Sequence, residues 1–261
     1  MAETDDVLVS QQEGIVTVAL NKPAKRNAVS FAMWLRLGEL FSGFRERADV
    51  RVVILTGTGG HFSAGADISE FPERRESAEA AKAYSEAGRA ATLAVRDLPQ
   101  PTIAAAHGYC VGGGCGLALA CDMRVGDATT KMGIPAAKRG IVYTVLDTEN
   151  LMRAVGLSRA KLVLFTGRVF AMPDCRAMGL LDEVSEAGAL DGARALAREM
   201  AERAPLSQRG AKLTMAAIAR GEVAARAAEI AEAQRIAAAS DDYREATQSF
   251  LEKRRPVFRG R

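Results

Sequence analysis

The sequence predicts an α/β fold with a helical C-terminal region, and two observations support this prediction. Short apolar runs rich in β-branched residues alternate with helical patterns over the first half of the chain, whereas nearly every segment after residue 148 has helical periodicity. With 261 residues, of which 48% are hydrophobic, the chain can form one large domain or a domain with a helical appendage.

Composition and charge exclude several classes of protein. The formal net charge is only +3, and Lys and Arg are interspersed with Asp and Glu, so no basic surface typical of nucleic-acid binding is expected. No run approaches the ~18 apolar residues of a membrane span, and the acidic N-terminus lacks the apolar core of a signal peptide. Four cysteines without CxxC spacing and two isolated histidines predict no metal site. We therefore expect a cytoplasmic protein with reduced thiols.

The individual elements follow from periodicity and from turn and capping residues. Before the central segment, the predicted elements are a hairpin of residues 7–10 and 15–20 with Gly14 at its turn, a helix capped by Ser30 that extends to about Arg47, a strand at 51–56, and a helical pattern within 72–98. After it, we expect a strand at 123–125, a loop over 131–144, and helices at 148–155, 158–165, 172–178, 190–203, 207–220, 222–239 and 241–253.

The chain is organised around residues 101–122. A buried strand at 102–106 leads into a glycine-rich turn, and a buried helix is expected at 117–121. A helix N-terminus offers unpaired N–H groups, and glycines let a ligand approach the backbone, so this turn predicts a site for an anion. That anion could be a phosphate or an oxygen that becomes negative only during a reaction. The alternative is that the glycines only allow tight helix packing.

Four segments together are similar to one known family. They are Leu20 to Pro23 with Asn27-Ala28, Gly59 with Phe62 to Ile68, His107-Gly108 with Gly112 to Gly114, and Phe250 to Phe258. In this order, over nearly the whole chain, they resemble the enoyl-CoA hydratase/isomerase, or crotonase, superfamily. The resemblance implies a crotonase-like spiral of ββα units over residues 1–200 and a C-terminal helical region, 201–261, that forms a homotrimer or a homohexamer.

The resemblance also implies the substrate and its binding residues. Family members act on acyl-CoA thioesters, so coenzyme A is expected as part of the substrate and not as a permanently bound cofactor. The thioester oxygen would be held by the backbone N–H groups of Ala66 and Gly113, in agreement with the predicted anion site. The residues implied to contact or enclose the CoA portion are Lys25, Arg26, Ala28, Ala64, Asp67 and Ile68, with Phe250 and Lys253 from the same or a neighbouring subunit. The alternatives are loop solubility for Lys25 and Arg26 and core packing for Phe250.

The sequence departs from the family at its catalytic positions. Family hydratases carry one glutamate two residues after the glycine triplet and a second in the loop after the next strand, where this chain has Gly116 and Ala136. Adding water to an enoyl thioester needs a base and an acid, which glycine and alanine cannot supply. Related isomerases and dehalogenases use an aspartate at the position of Thr144. An ordinary hydratase is therefore not expected.

Tyr143 and Thr144 are the remaining catalytic candidates. The segment 140–143 resembles methylmalonyl-CoA decarboxylases, in which a tyrosine at this point lies beside the departing carboxylate. Decarboxylation needs no strong base, so we expect loss of a β-carboxylate first and double-bond isomerisation second. The alternatives are a hydratase that recruits loop acids, a non-catalytic acyl-CoA binding protein, and Tyr143 as a packing residue. The loop acids considered are Glu70, Glu73 and Glu76.

Overall fold

The chain folds around a six-stranded sheet that is flanked by helices and accompanied by a three-stranded sheet. A computed structural model describes residues 5–74 and 76–261. Its strands are β1 Val7–Gln12, β2 Ile15–Leu20, β3 Val52–Gly57, β4 Thr102–Ala106, β5 Tyr109–Val111, β6 Met123–Gly126, β7 Lys131–Gly133, β8 Val169–Ala171 and β9 Glu183–Val184. Its helices are α1 Phe31–Phe44, α2 Phe71–Arg74, α3 Ala78–Arg96, α4 Gly113–Ala120, α5 Val145–Thr166, α6 Met172–Met178, α7 Ala189–Ala201, α8 Pro205–Arg220, α9 Ala227–Ala239 and α10 Asp241–Leu251.

The main sheet has the strand order β1-β2-β3-β4-β6-β9. β1 pairs antiparallel with β2, and the other neighbouring strands are parallel. Glu13 and Gly14 join β1 to β2 with positive φ values of 50° and 78°, as expected for a tight turn whose twist matches that of the strands. The predicted hairpin with Gly14 at its turn is confirmed.

Helices cover both faces of the central strands. Leu55 of β3 belongs to a core shared with Phe41 of α1, whereas its neighbour Ile54 packs with α7, which contributes Ala193 and Ala197. The small alanine side chains allow α7 to lie close to the sheet. Because both faces are covered, β3 is a continuous apolar run and does not alternate between apolar and polar residues.

The glycine-rich helix α4 begins earlier than the sequence predicts. The sequence predicts a start at Leu117, but the helix starts at Gly113 and ends at Ala120. Glycine is a poor helix former, so the turn was expected to continue through these residues. A Cβ at residue 114 would lie 2.6 Å from the Cβ of Ser63. The close approach of the loop after β3 therefore requires glycine in the first turn of α4, whatever its helix propensity.

The other errors in the predicted elements concern short strands and helix boundaries. The loop predicted over 131–144 is wrong at Lys131–Gly133, which is β7 and pairs with β5 and β8. Strands of three residues are too short to show a period of two. The helices predicted at 148–155 and 158–165 form one element, α5, with a break at Gly156, and the helix predicted from Glu222 begins at Ala227.

Asn27 ties the loop after β2 to the loop after β3. Its side chain is fully buried, and its amide donates to the carbonyl oxygens of Thr58 at 2.9 Å and His61 at 2.6 Å. Its own Oδ1 accepts the Lys22 N–H at 2.9 Å. Because one buried side chain bonds to the backbone of both loops, Asn27 fixes their relative position.

Asp67 forms a second connection between the same loops. It is only 4% exposed, and it accepts hydrogen bonds from Lys25 Nζ at 2.9 Å and from the Ser69 hydroxyl at 2.6 Å. Burial raises the pKa of Asp67, but the hydrogen bonds from Ser69 and Lys25 outweigh it and lower this pKa to about 2. The charged carboxylate therefore stabilises the folded loops.

Asp67→Asn should lower the free energy of unfolding by about 2 kcal/mol at neutral pH. The pKa of Asp67 is lower in the folded chain than the ~3.9 of an unfolded chain, so its contribution is present above about pH 4 and is lost as the pH falls towards 2. Urea unfolding of both proteins across this range measures the difference, which should narrow on acidification. A difference that stayed constant down to about pH 2 would contradict this account.

Candidate active site

A largely apolar cavity of about 430 Å³ opens between α1, α3, the loop after β3, the start of α4 and the segment that leads into α5. Trp34, Phe71, Tyr84 and Ile134 contribute to its wall. Another cavity, of about 490 Å³, lies between α8, α9 and the end of α3 and is rich in arginine. The first cavity is lined by the glycine-rich turn that the sequence predicts as an anion site, so we take it as the candidate active site.

Two backbone N–H groups line this cavity as neighbours. Gly113 is the first residue of α4, so its N–H has no acceptor within the helix. Ala66 forms a parallel bridge with Val29. Two hydrogen bonds make this bridge: the Val29 N–H donates to the Gly65 carbonyl oxygen, and the Asp67 N–H donates to the Val29 carbonyl oxygen. The Ala66 N–H is thereby directed away from the bridge. A Cβ on Gly113 would lie 3.5 Å from the Ala66 nitrogen, so the two donors lie close together.

Glycine at position 65 makes this approach possible. Gly65 has a φ of 95°, and a Cβ there would lie 2.9 Å from the Val111 carbonyl oxygen and 3.2 Å from the Gly113 nitrogen. Gly112, with a φ of 55°, then sets the direction in which the chain enters α4. A side chain at residue 65 would be strained and would push the two loops apart.

The space beside Gly116 is filled from the N-terminal end of α5. A Cβ on Gly116 would lie 3.0 Å from the Tyr143 hydroxyl oxygen and 3.2 Å from Asp147 Oδ1. At the other family position, Ala136 lines the cavity with a methyl group. The volume in which the first family glutamate is expected is therefore occupied by a phenol and a carboxyl group from another part of the chain.

Asp147 is the site residue that sequence reasoning misses. It lines the cavity in the first turn of α5, where its Oδ2 accepts the Thr144 hydroxyl at 2.6 Å and its N–H donates to Thr144 Oγ1 at 3.1 Å. Burial raises the pKa of Asp147, and the hydrogen bond from Thr144 only partly offsets this. The available signal was the Thr-x-x-Asp spacing, which is typical of a helix N-terminus but does not show that the acid lines a cavity.

Tyr143 and Thr144, the predicted catalytic residues, both line the cavity. The Tyr143 hydroxyl donates to the Gly112 carbonyl oxygen at 2.9 Å. Burial and then the nearby Asp147 carboxylate raise the pKa of Tyr143 well above its usual range, so this side chain stays a neutral phenol. Thr144 is the N-cap of α5, and its hydroxyl is engaged by Asp147.

The residues implied to contact CoA fall into two groups. Ala64 and Ile68 line the cavity together with Ala66. Lys25 does not line it, because its ammonium group is held by Asp67 on the adjoining loop. Asp67 is itself committed to that ion pair and so acts here as a structural carboxylate.

The other two residues of this loop that are implied to contact CoA are Arg26 and Ala28. The Arg26 guanidinium lies over the Tyr109 ring, 5.4 Å from its centroid, and Lys131 Nζ lies at the same distance from that ring. Ala28 is buried and is 9% exposed. Arg26 and Lys131 thus form a basic surface around an aromatic ring, whereas Ala28 contributes packing.

The structure does not bring Phe250 and Lys253 to the cavity of their own chain. Phe250 is 82% exposed in the last turn of α10, and Lys253 follows the helix with a positive φ of 55°. Neither residue lines the cavity. Phe250 is therefore not a core residue of the single chain, and a role for either residue at the site stays a prediction that requires a second subunit.

Two of the loop acids in the hydratase alternative, Glu70 and Glu76, do not line the cavity. Glu70 accepts the Phe31 N–H at the start of α1 through its carboxylate, at 2.7 Å. Glu76 is exposed and is absent from the cavity lining. The side chain of Glu73 lies outside the described part of the molecule. Asp147 is thus the carboxyl group that the described residues bring to the site.

Searches for other functional features concern the described residues alone. Within 5–74 and 76–261, no group of three His, Cys, Asp or Glu side chains is arranged to hold a metal ion. Over the same ranges, no helix is both long enough and apolar enough to cross a membrane. Cys110, Cys115, Cys121 and Cys175 are buried free thiols.

Comparison with known proteins identifies the family. The family model for enoyl-CoA hydratase/isomerase matches residues 10–261. The 2,3-dehydroadipyl-CoA hydratase of Escherichia coli K12 is 30% identical over 257 residues, which are 98% of this chain and 99% of the relative. An enoyl-CoA isomerase/hydratase of Mycosarcoma maydis is 34% identical over 260 residues, which are 95% of this chain and 93% of the relative.

A solved structure agrees with this relationship. The crystal structure of an enoyl-CoA hydratase from Bacillus anthracis matches with a TM-score of 0.92 at 29% identity, over 98% of this chain and 100% of that chain. The predicted crotonase-like α/β fold is therefore confirmed. The chain belongs to the enoyl-CoA hydratase/isomerase family of acyl-CoA-processing enzymes.

Proposed function

We propose that this chain binds an acyl-CoA thioester with the carbonyl oxygen between the N–H groups of Ala66 and Gly113 and stabilises the enolate formed there. The observation that supports the proposal is that both donors line one cavity, side by side, held by the backbone. Donors fixed in this way stabilise an oxygen most when it carries negative charge. The loss of one such donor typically raises the reaction barrier by about 3–4 kcal/mol.

The proposed reaction is enolate chemistry other than ordinary hydration. Water addition needs one group that activates water and one that protonates carbon, and Gly116 and Ala136 offer neither. Relatives named as hydratases support an acyl-CoA substrate, but Gly116 and Ala136 do not supply the proton transfers that hydration requires. Two enolate reactions remain, the migration of a double bond and the loss of a β-carboxylate.

Double-bond migration is the better supported reaction. The sequence favours decarboxylation because no family position holds a carboxyl group, but the cavity contains the carboxyl group of Asp147. Migration requires a group that carries a proton from one carbon to another, and a carboxyl group of raised pKa suits this task. A β-carboxylate beside Asp147 would meet a like charge whenever Asp147 is ionised.

Decarboxylation stays the second candidate because of two arginines. Arg89 of α3 and Arg139 line the cavity and are exposed, and within the described residues neither has an acidic partner. Two cations of this kind could hold a substrate carboxylate.

We propose that the basic residues Lys25 and Arg26 lie along the CoA portion outside the cavity, and that Phe250 and Lys253 of a neighbouring subunit close the site.

Gly113→Pro should abolish most of the activity by removing one donor. Gly113→Ala is the matched control, because it keeps the N–H. Both variants add a Cβ, which would lie 3.3 Å from the Trp34 ring. Proline is favourable at the first position of a helix, so both variants should fold. We expect the proline variant to exchange α-protons of an acyl-CoA in D₂O, measured by mass spectrometry, about 10²–10³-fold more slowly than the alanine variant. Equal exchange rates in the two variants would count against the proposed oxygen site.

We also propose that residues 201–261 assemble the chain into a homotrimer or homohexamer. Large apolar side chains are exposed in this region, which is unfavourable for an isolated chain. They are Met215 at 62%, Ile218 at 64%, Phe250 at 82%, Leu251 at 75% and Val257 at 64%. Light scattering at micromolar concentration should give the mass of three or six chains of 27.7 kDa. A mass of one chain would contradict this assembly.

A further inference from the structure

We propose that Asp147 is the proton carrier of this site for the double-bond migration, from a 3-enoyl-CoA to a 2-enoyl-CoA thioester, that the proposed function favours. This inference rests on the proposed function, because it requires the thioester oxygen to be held by Ala66 and Gly113. It assigns a catalytic residue at a position that differs from the family positions 116, 136 and 144.

The spacing along α4 sets the distance between the oxygen site and Asp147. Gly113 and Gly116 are three residues apart on one helix face, and a helical turn rises about 5 Å. Asp147 Oδ1 lies 3.2 Å from the position that a Cβ on Gly116 would occupy. The Asp147 carboxyl group therefore meets α4 about one turn after Gly113, and both residues line the same cavity.

One oxygen of Asp147 is positioned and the other is available. Oδ2 is held by the Thr144 hydroxyl at 2.6 Å. Over residues 5–74 and 76–261, Oδ1 accepts no hydrogen bond, and no Lys or Arg side chain forms an ion pair with this carboxylate. Asp67 is the opposite case, because its carboxylate is locked in the charged form by Lys25 and Ser69. A carboxyl group that is oriented but not ion-paired can accept and return a proton.

The proposed reaction needs only this one carboxyl group. The Asp147 carboxylate takes a proton from the α-carbon of the 3-enoyl thioester, and the electrons of the broken C–H bond form the dienolate, whose oxygen lies at Ala66 and Gly113. Protonated Asp147 then gives the same proton to the γ-carbon, the double bond forms between the α- and β-carbons, and the thioester carbonyl is restored. No atom is gained or lost, and no oxidant, reductant or water is consumed.

Neighbouring groups do not fit this role. The Tyr143 hydroxyl is engaged with the Gly112 carbonyl, and the raised pKa of Tyr143 prevents the phenol from acting as a base near neutral pH. The Glu70 carboxylate is bound to the backbone of α1. Thr144 is a positioning residue, because its hydroxyl orients the carboxyl group of Asp147 and caps α5.

The first test replaces the carboxyl group by an amide of the same shape. Asp147→Asn should lower both 3-enoyl to 2-enoyl isomerisation and α-proton exchange about 10²–10⁴-fold, with the dissociation constant for the thioester changed by less than about threefold. Glu149→Gln is the matched control, because it makes the same chemical change two residues along α5, where Glu149 binds Arg153 and Arg96 outside the cavity. Glu149→Gln should keep wild-type rates.

The positioning role of Thr144 is tested by a conservative pair. Thr144→Val removes the hydroxyl and should slow isomerisation, whereas Thr144→Ser keeps the hydroxyl and should restore the wild-type rate. A purely structural role of the threonine methyl group would give the opposite order. Asp147→Glu retains an acid and should be faster than Asp147→Asn, which separates loss of the acid from damage to the fold.

The outcomes distinguish this inference from the proposed function on which it rests. If Asp147→Asn isomerises at the wild-type rate while Gly113→Pro does not, Asp147 is not the proton carrier but the oxygen site stands. If the wild-type chain releases carbon dioxide from malonyl-CoA or methylmalonyl-CoA and does not isomerise a 3-enoyl-CoA, the substrate assignment is overturned. If it binds no acyl-CoA thioester, the proposed function itself fails. Loss of isomerisation in Asp147→Asn, with thioester binding retained and Glu149→Gln active, supports the inference.

Discussion

The close approach of the loop after β3 to the N-terminus of α4 is the constraint on which the site depends. Gly65 and Gly114 are the contact points, since a Cβ on Gly65 would collide with the Val111 carbonyl and one on Gly114 with Ser63. The Ser63 hydroxyl in turn donates to the Asn27 carbonyl at 2.7 Å, which links the loop after β2 to the same junction. Ser63 and Asn27 are both buried, and a buried hydroxyl or carbonyl group left without its partner would cost about 1–3 kcal/mol. The backbone donors at Ala66 and Gly113 are therefore held by the fold and do not depend on side-chain rotamers.

Long periodic elements and turn chemistry were predictable from the sequence. The hairpin at Gly14, the helix capped by Ser30 and the buried strands are set by local patterns that extend over five or more residues. The three-residue strands of the small sheet and the start of α4 at Gly113 were not predictable in this way. Short strands carry no measurable period, and a glycine in a helix is explained only by the neighbour that approaches it.

The candidate site shows the same division between local and tertiary information. Ala66, Gly113, Tyr143 and Thr144 are implied by the resemblance of the sequence to the family, and all four line one cavity. Asp147 could not be recognised, because its proximity to Gly116 is a contact between α4 and α5 that no local pattern encodes. Its signature in the sequence, Thr-x-x-Asp, is equally typical of an ordinary helix start.

The glycine at position 116 and the acid at position 147 belong to one structural arrangement. A side chain at 116 would meet the Tyr143 hydroxyl at 3.0 Å and Asp147 Oδ1 at 3.2 Å from its Cβ, so a longer residue there would displace both. The absence of an acid on α4 therefore creates the space that α5 fills with its own. In the proposed mechanism, the carboxyl group has moved to another helix while the oxygen site has kept its place in the fold.

The central claim is that the thioester oxygen binds between Ala66 and Gly113, and a crystal structure with a saturated acyl-CoA tests it most directly. Such a ligand keeps the thioester carbonyl but has no double bond to migrate. The account predicts that the carbonyl oxygen lies about 2.7–3.2 Å from both nitrogens. A thioester oxygen beyond hydrogen-bond distance of both nitrogens would contradict it.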